Sequence, residues 1–357
     1  MCDTAEVQVP EVYPRKWIER VGDQTTCPSD FSVLTYNLLA DKHIPKDKYQ
    51  YCPPEIRYMN WRHKHILAEI DEYGGDILCL QEVSPENFEK NMKPALETRG
   101  FCGDILQRRH GSGQATFFNL CKFELVDVKK VTFSDVVTDH FQELNLEVEE
   151  RDAIKNQLQI AGDCVLLTAL KHKASGKLLY VANIHVLWGD LKYPGLQTTE
   201  VVLASKELHK FAGGTDKHVI FCGDFNSPPN WPPYILLNTG EVDPTMDVLK
   251  KEIPLIAESD GRTITDHLHK SFKIPFNFQS SYLTVQGKEP AVTNSDDGYQ
   301  DYITWLCLDY IWFNLGKLDV TGVLETPPDD AISKYTALPS RLFPSDHIPL
   351  KADFRFV

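Results

Sequence analysis

No apolar run in the chain approaches the ~18 residues needed to cross a membrane, and Met1–Pro10 lacks the basic-then-apolar order of a secretory signal. Positive charge is also scarce. With 37 Lys and Arg against 51 Asp and Glu, the net charge is −14, which argues against a general polyanion binder held by bulk electrostatics. A nucleic-acid ligand would need local cations or a metal. The 9 cysteines form no CxxC pair and show no zinc-site spacing. Cys79, Cys164, Cys222 and Cys307 lie inside apolar runs, where a free thiol packs as a small hydrophobe. A reducing compartment is expected, the cytoplasm with the nucleus as a second possibility. There is no Gly-rich phosphate loop and no serine nucleophile elbow, and HLH at His267–His269 lacks further zinc ligands.

What is present is the composition of an ordinary globular protein, 42% hydrophobic and 25% charged. Short apolar runs rich in Val, Ile, Phe and Tyr predict strands buried on both faces. They are Phe31–Tyr36, Asp76–Leu80, Ala115–Asn119, Leu125–Phe133, Cys164–Lys171, Leu178–Ile184, His218–Cys222, Leu306–Phe313 and Leu350–Val357. Ile66, Ile70 and Tyr73 form one helix face, stopped by Gly74-Gly75. Ser84-Pro85 opens a second helix to about Arg99, with a kink or break at Pro94. Val201, Ala204, Leu208 and Phe211 mark a third, ended by Gly213-Gly214. Strands that alternate with helices in places and follow one another in others suit an α/β fold of two packed mixed β-sheets flanked by helices. With no repeat, low-complexity tract or linker, a single domain over 31–357 is expected, with an extension over 1–30 packing on it.

Polar residues gather at or near the ends of these runs: Asn37, Glu82, His185, Asp224, Asn226 and Asp346-His347, while Asp309 lies inside the run Leu306–Phe313. Singly, each has an ordinary explanation as a turn, a cap or an ion pair. Together, similarly placed across the whole chain, they point to one site at strand ends.

The segments that carry them are LTYNLL (34–39), LCLQEV (78–83), ANIHVLW (182–188), CGDFNSPP (222–229), LDYIWF (308–313) and PSDHIPL (344–350). In this order they resemble the signature segments of the endonuclease/exonuclease/phosphatase superfamily. The wording is most similar to its carbon-catabolite-repressor-type branch of deadenylases, nocturnin, the angel proteins and the 2′,5′-phosphodiesterase. The resemblance implies a four-layer αββα sandwich and a Mg²⁺-dependent phosphodiesterase, with Mn²⁺ as a substitute. It implies a metal held by Glu82 and Asn37, with Asp346 reaching it directly or through water. His347, oriented by Asp309, would activate water or contact phosphate. Asp224 and Asn226 stand two apart, so in an extended segment both point the same way. Asp224 would orient water or handle a proton, while Asn226 and His185 would donate to phosphoryl oxygens.

The substrate implied is an RNA 3′ end, poly(A) above all, cut 3′ to 5′. A small or special substrate is the alternative: the 2′-phosphate of NADP(H), a 2′,3′-cyclic phosphate end or a 2′,5′-oligoadenylate. An inactive RNA-binding protein is a further alternative, opposed by the intact metal and base positions. Trp188, Tyr302 and Trp305 are candidate stacking platforms or sheet core, and Arg108 or Arg109 is either solvated surface or a phosphate contact. The sequence departs from the branch in three places. Ser112 stands where an acidic residue is usual, a lysine-aspartate-asparagine segment is replaced by Arg151-Asp152 or Gly162-Asp163, and DDGYQDYITWL (296–306) is long and acidic. No leucine-rich repeat is present for docking into a larger complex, and a monomer is expected.

Overall fold

Alternation along the strands decides which side each residue faces. In His218–Asp224, Val219 and Phe221 pack toward helices while Ile220 and Cys222 pack toward a second sheet. In Phe31–Asn37, Val33 joins the core between the sheets and Leu34 and Tyr36 the core under other helices. The computed structural model describes residues 11–22, 27–28, 30–109, 111–140, 146–188, 192–252, 262–297 and 303–357. Its strands are β1 (Trp17–Glu19), β2 (Phe31–Asn37), β3 (Ile77–Val83), β4 (Phe101–Gln107), β5 (Gly113–Asn119), β6 (Phe123–Thr132) and β7 (Cys164–His172), then β8 (Leu178–His185), β9 (His218–Asp224), β10 (Phe278–Ser280), β11 (Asp309–Asn314), β12 (Leu318–Leu324) and β13 (Leu350–Phe356).

A seven-stranded sheet runs β1-β12-β13-β2-β3-β5-β4 and a six-stranded sheet β10-β11-β9-β8-β7-β6. They pack face to face through Val33, Cys79, Val181, Cys222, Ile311 and Phe354. Helices Met59–Tyr73 and Pro85–Glu97 cover one outer face, and Pro194–Ala212 and Val148–Ala161 the other. The result is the expected αββα sandwich of two mixed sheets. No helix among the described residues is long and apolar enough to cross a membrane.

Several expectations need adjusting. The run Leu306–Phe313 becomes strand only from Asp309, because Leu306 pairs back onto Asn294 in an isolated bridge. Phe133 leaves its strand and opens a helix, Phe133–His140. The helix after Ser84 is capped by Ser84 Oγ as expected. It contains a π-helical turn over Phe88–Met92, directly before Lys93-Pro94, where the missing proline N–H would interrupt regular bonding. Strands β1, β4, β10 and β12 escaped the sequence reading. Two are only three residues long, and β4 and β12 carry Gly and Asp within them.

This topology has one consequence for function. The pairs β2–β3 and β8–β9 are parallel, while β13 and β11 run antiparallel to β2 and β9. The C-terminal ends of β2, β3, β8 and β9 therefore meet the N-terminal ends of β11 and β13. Arg62, fully buried on its helix, braces the loops there. It donates to the carbonyls of Leu38 at 2.6 Å, Leu39 at 2.5 Å, Arg57 at 2.9 Å and Pro344 at 3.2 Å. Arg62→Met would leave these carbonyls without a donor, at about 1–3 kcal/mol for each that stays buried and unpaired. Urea unfolding should show a loss of about 3 kcal/mol or more; a loss under about 1 kcal/mol would mean the loops do not depend on it.

Candidate active site

Register places three side chains of the six-stranded sheet in one row. His185 of β8 and Asp309 of β11 are both directly opposite Asp224 of β9, so all three project from the same face. Gly223 makes the close approach possible. Its φ is 142°, and a Cβ there would lie 1.9 Å from the Ile184 carbonyl oxygen. His185 Nε2 lies 3.5 Å from Asp224 Oδ2.

The seven-stranded sheet contributes Asn37 and Glu82. The β3–β5 register shifts between Leu80 and Val83, and within this bulge Glu82 adopts a φ of 56°. Its carboxylate accepts from Ala40 N–H at 2.8 Å and from Asn37 Nδ2 at 3.2 Å. The same Asn37 nitrogen donates to Asp224 Oδ2 at 2.9 Å, while Asn37 Oδ1 accepts from Leu39 N–H. Asn37 thus presents amide hydrogens to two carboxylates, and its Oδ1, an acceptor with two lone pairs, receives one hydrogen bond.

The loop before β13 supplies the rest. Ser345 Oγ donates to the Asn37 carbonyl at 2.7 Å, Asp346 Oδ2 accepts from Tyr49 O–H at 2.6 Å, and His347 Nδ1 lies 2.8 Å from Asp309 Oδ2. His347 Nε2 then faces Asp224 Oδ2 at 3.7 Å. Asn226 is reached by a turn and not by extended backbone. Its φ is 46°, its N–H donates to Asp224 Oδ1, and its Nδ2 donates to the Val186 carbonyl at 2.8 Å. The two residues converge, but through an Asx turn and not through strand periodicity.

Electrostatics follow from burial. Burial, with Asp309 close by, raises the Asp224 carboxyl to about 7 despite His347 and Asn37. Burial also raises Asp346. Glu82 goes the other way: burial opposes its charge, but His43, His185 and the bonds from Ala40 and Asn37 outweigh it and hold it at about 2. Burial and then the neighbouring Arg108 keep His185 well below the usual imidazole range. For His347, burial favours the neutral ring, but Asp309, Asp224 and Asp346 prevail and raise it well above that range.

Glu82, His185, Asp224, Asn226, Asp346 and His347 line a cavity of about 390 Å³. Arg108 reaches it, with Nη1 3.0 Å from His185 Nδ1 and an ion pair to buried Asp163. Arg109 does not; it is exposed and donates to the Gln159 carbonyl. Trp188 lies on the cavity wall at 49% exposure, so it is not sheet core, and Trp305 is exposed away from the lining. Tyr302 lies outside the described residues. Of the segments considered for the lysine-aspartate-asparagine position, Arg151 and Asp152 are exposed on a helix and Asp163 is buried beside the site.

The sequence reading missed His43, Lys48, Tyr49, Ile160 and Asn294 in the lining. They belong to loops and a helix end without motif character. Only the nearness of 39–49 to Asn37 hinted at some of them. His43 Nε2 lies 3.1 Å from Ser112 Oγ, so the residue at the departed acidic position faces the same cavity.

The donor set suits a hard divalent cation. Glu82, Asp224, Asp309 and Asp346 bring four carboxylates together, and Asp309 Oδ1 is buried without a hydrogen-bond partner. Asp224, Asp309 and His347 also offer ligand atoms within 4.8 Å of one another. His347 Nδ1 is already committed to Asp309, while Glu82 and Asp346 present their carboxylates to the cavity.

The Endonuclease/Exonuclease/phosphatase family model matches residues 34–347. Carbon catabolite repressor protein 4 homolog 1 of Arabidopsis thaliana is 30% identical, covering 98% of this chain and 63% of that protein. The CCR4-Not complex 3′-5′-exoribonuclease subunit Ccr4 of Saccharomyces cerevisiae is 29% identical, covering 92% of this chain and 39% of its own length. The chain thus spans less than two thirds of these relatives. Among solved structures, ANGEL2, a 2′,3′-cyclic phosphatase, shares the fold with a TM-score of 0.75 at 23% identity, covering 97% of this chain and 99% of that one.

The Asp309–His347 pair can be tested by titration. In metal-free protein, His347 should titrate above the usual ~6.5 and fall in Asp309→Asn, read by NMR. A raised folded value means the stabilisation is complete below the unfolded value and is lost as pH rises through the folded one. The stability deficit of Asp309→Asn should therefore be larger near about pH 6 than about pH 9. Equal deficits at both would show that the pair carries no charge coupling.

Proposed function

The chain belongs to the endonuclease/exonuclease/phosphatase family, and from that premise we propose that it is a Mg²⁺-dependent phosphodiesterase, a 3′–5′ exoribonuclease releasing nucleotides from poly(A) or a similar RNA 3′ end. The observation that carries this reading is the Asp309–His347 pair facing Asp224 in the cavity onto which Glu82 opens. The same reading treats 31–357 as the catalytic unit, 1–30 as an extension, and the protein as a cytoplasmic monomer.

Glu82, with Asn37 beside it, and Asp346 would hold the cation. A divalent cation there would supply Lewis-acid neutralisation of the phosphoryl oxygens. Asp224, near neutrality and held by Asn37 and the Asn226 N–H, is placed to take a proton from an attacking water. Of the two roles open to His347, its charge favours donation to a phosphoryl oxygen, with Asp309 holding the ring. His185 donates to a second such oxygen through Nε2, and Asn226 uses the amide hydrogen not bonded to Val186. Trp188, half-exposed on the cavity wall, stacks on the terminal base.

A net charge of −14 and a cavity of about 390 Å³ favour a short footprint. They also support the second reading, in which the substrate is a 2′-phosphate of NADP(H), a 2′,3′-cyclic phosphate end or a 2′,5′-oligoadenylate. Rates on these three and on 3′-tailed RNA, measured with Mg²⁺, decide between the readings. The first fails if tailed RNA is the poorest of the panel.

Glu82→Ala should abolish hydrolysis while the protein stays folded, and excess EDTA should do the same to the wild type. Turnover in either case would remove the metal from the mechanism. Trp188→Ala should raise KM by the equivalent of about 1–3 kcal/mol, and binding should weaken with salt at a slope of roughly −1 to −2. An unchanged KM would exclude stacking, and a slope steeper than about −4 would reveal a longer RNA track.

A further inference from the structure

We propose that Arg108 is a positioning residue that fixes His185 as the neutral tautomer with its proton on Nε2. This rests on the phosphodiesterase reading, in which His185 donates to a phosphoryl oxygen.

A guanidinium has five N–H donors, no acceptor and no accessible neutral form. The 3.0 Å contact between Arg108 Nη1 and His185 Nδ1 therefore has one solution: Nδ1 is the bare acceptor. The ring proton must sit on Nε2, the nitrogen that faces Asp224 Oδ2 at 3.5 Å and opens on the cavity. A second proton on the ring would put two donors nose to nose.

The fork of Arg108 is itself immobilised. Nη2 pairs with Asp163, which is fully buried at the entry to β7. The Arg108 N–H donates to the Ser112 carbonyl at 2.9 Å, which holds the turn between β4 and β5. Arg108 thus reaches from the hairpin of one sheet to Asp163 and His185 of the other, using a different nitrogen for each. A lysine has a single point charge and cannot direct two bonds along the two edges of a fork.

This accounts for a cation that points toward a phosphate site yet has both terminal nitrogens turned to protein partners. Its expected signature is a loss mainly in turnover, since donation to the phosphoryl oxygen strengthens as charge builds on it in the transition state.

Removing Arg108 alone would strand buried Asp163 and risk unfolding. The test therefore uses Arg108→Met/Asp163→Leu, which removes the pair together, beside Arg108→Lys. Ring ¹⁵N spectra of histidine-labelled metal-free protein, with His185 assigned from His185→Gln, report the tautomer without any assay. The wild type should show one bare and one protonated nitrogen, with Nδ1 bare. The double variant should move both toward an exchange average. On the hydrolysed substrate, kcat should fall about 10- to 100-fold with KM little changed, and Arg108→Lys should not rescue it. A protonated Nδ1 in the wild type, or an unmoved tautomer in the folded double variant, would overturn the proposal. So would a raised KM with kcat kept, which would make Arg108 a substrate contact. If the wild type hydrolyses none of the panel, the phosphodiesterase reading fails while the spectra still decide the tautomer.

Discussion

Asn37 and Asp224 come from different sheets, and the 2.9 Å bond between them closes the sandwich at its functional end. An amide–amide pair also joins the two sheets. Gln81 Nε2 donates to Asn183 Oδ1 at 2.9 Å, and Asn183 Nδ2 donates to the Ala115 carbonyl at 3.0 Å. The rest of the interface between the sheets is mainly apolar, with Val33, Cys79, Val181 and Ile311 packed together. An apolar interface resists separation but does little to fix how far one sheet slides on the other. Buried amides that must find particular partners fix that register, because a slip leaves them unpaired.

The same closure creates the chemistry. Carboxylates from β3, β9 and the loop before β13 are drawn into one cavity, with Asp309 of β11 behind His347, and their mutual repulsion there is poorly screened. The protein distributes that load unevenly. Glu82 is held ionised, with the Ala40 N–H and the Asn37 amide donating to it, while Asp224 is pushed to about 7 by burial and Asp309. Two histidines in one cavity are driven apart in the same way. His347 lies between carboxylates and is held charged; His185 lies against a guanidinium and is held neutral. Separate proton affinities on chemically identical side chains give a site both an acceptor and donors near neutral pH.

Local sequence was informative wherever a short rule governs structure. Continuous apolar runs located most strands, glycine pairs ended the helices after Tyr73 and Ala212, and Ser84 capped the helix after β3. The polar residues at strand ends were legible for the same reason, since a strand end is where an apolar run stops. The misses have physical causes too. Short edge strands such as β1 and β10 bury too little to leave a periodic signature, and Leu306 was drawn out of β11 by a bridge to a distant residue.

The sequence by itself determined the layered α/β architecture, the strand-end residues and their family resemblance, because apolar periodicity and contiguous motifs are local properties. Only the tertiary structure decided what those residues touch. It turned the Asn37 amide toward two carboxylates, bent the backbone at Asn226, and separated Arg108 from Arg109, adjacent in sequence yet bonded to His185 and to the Gln159 carbonyl respectively. Successive strand-like residues point in opposite directions, and a partner 77 residues away leaves no trace in the local sequence. Composition shows a charge; only packing shows which nitrogen it faces.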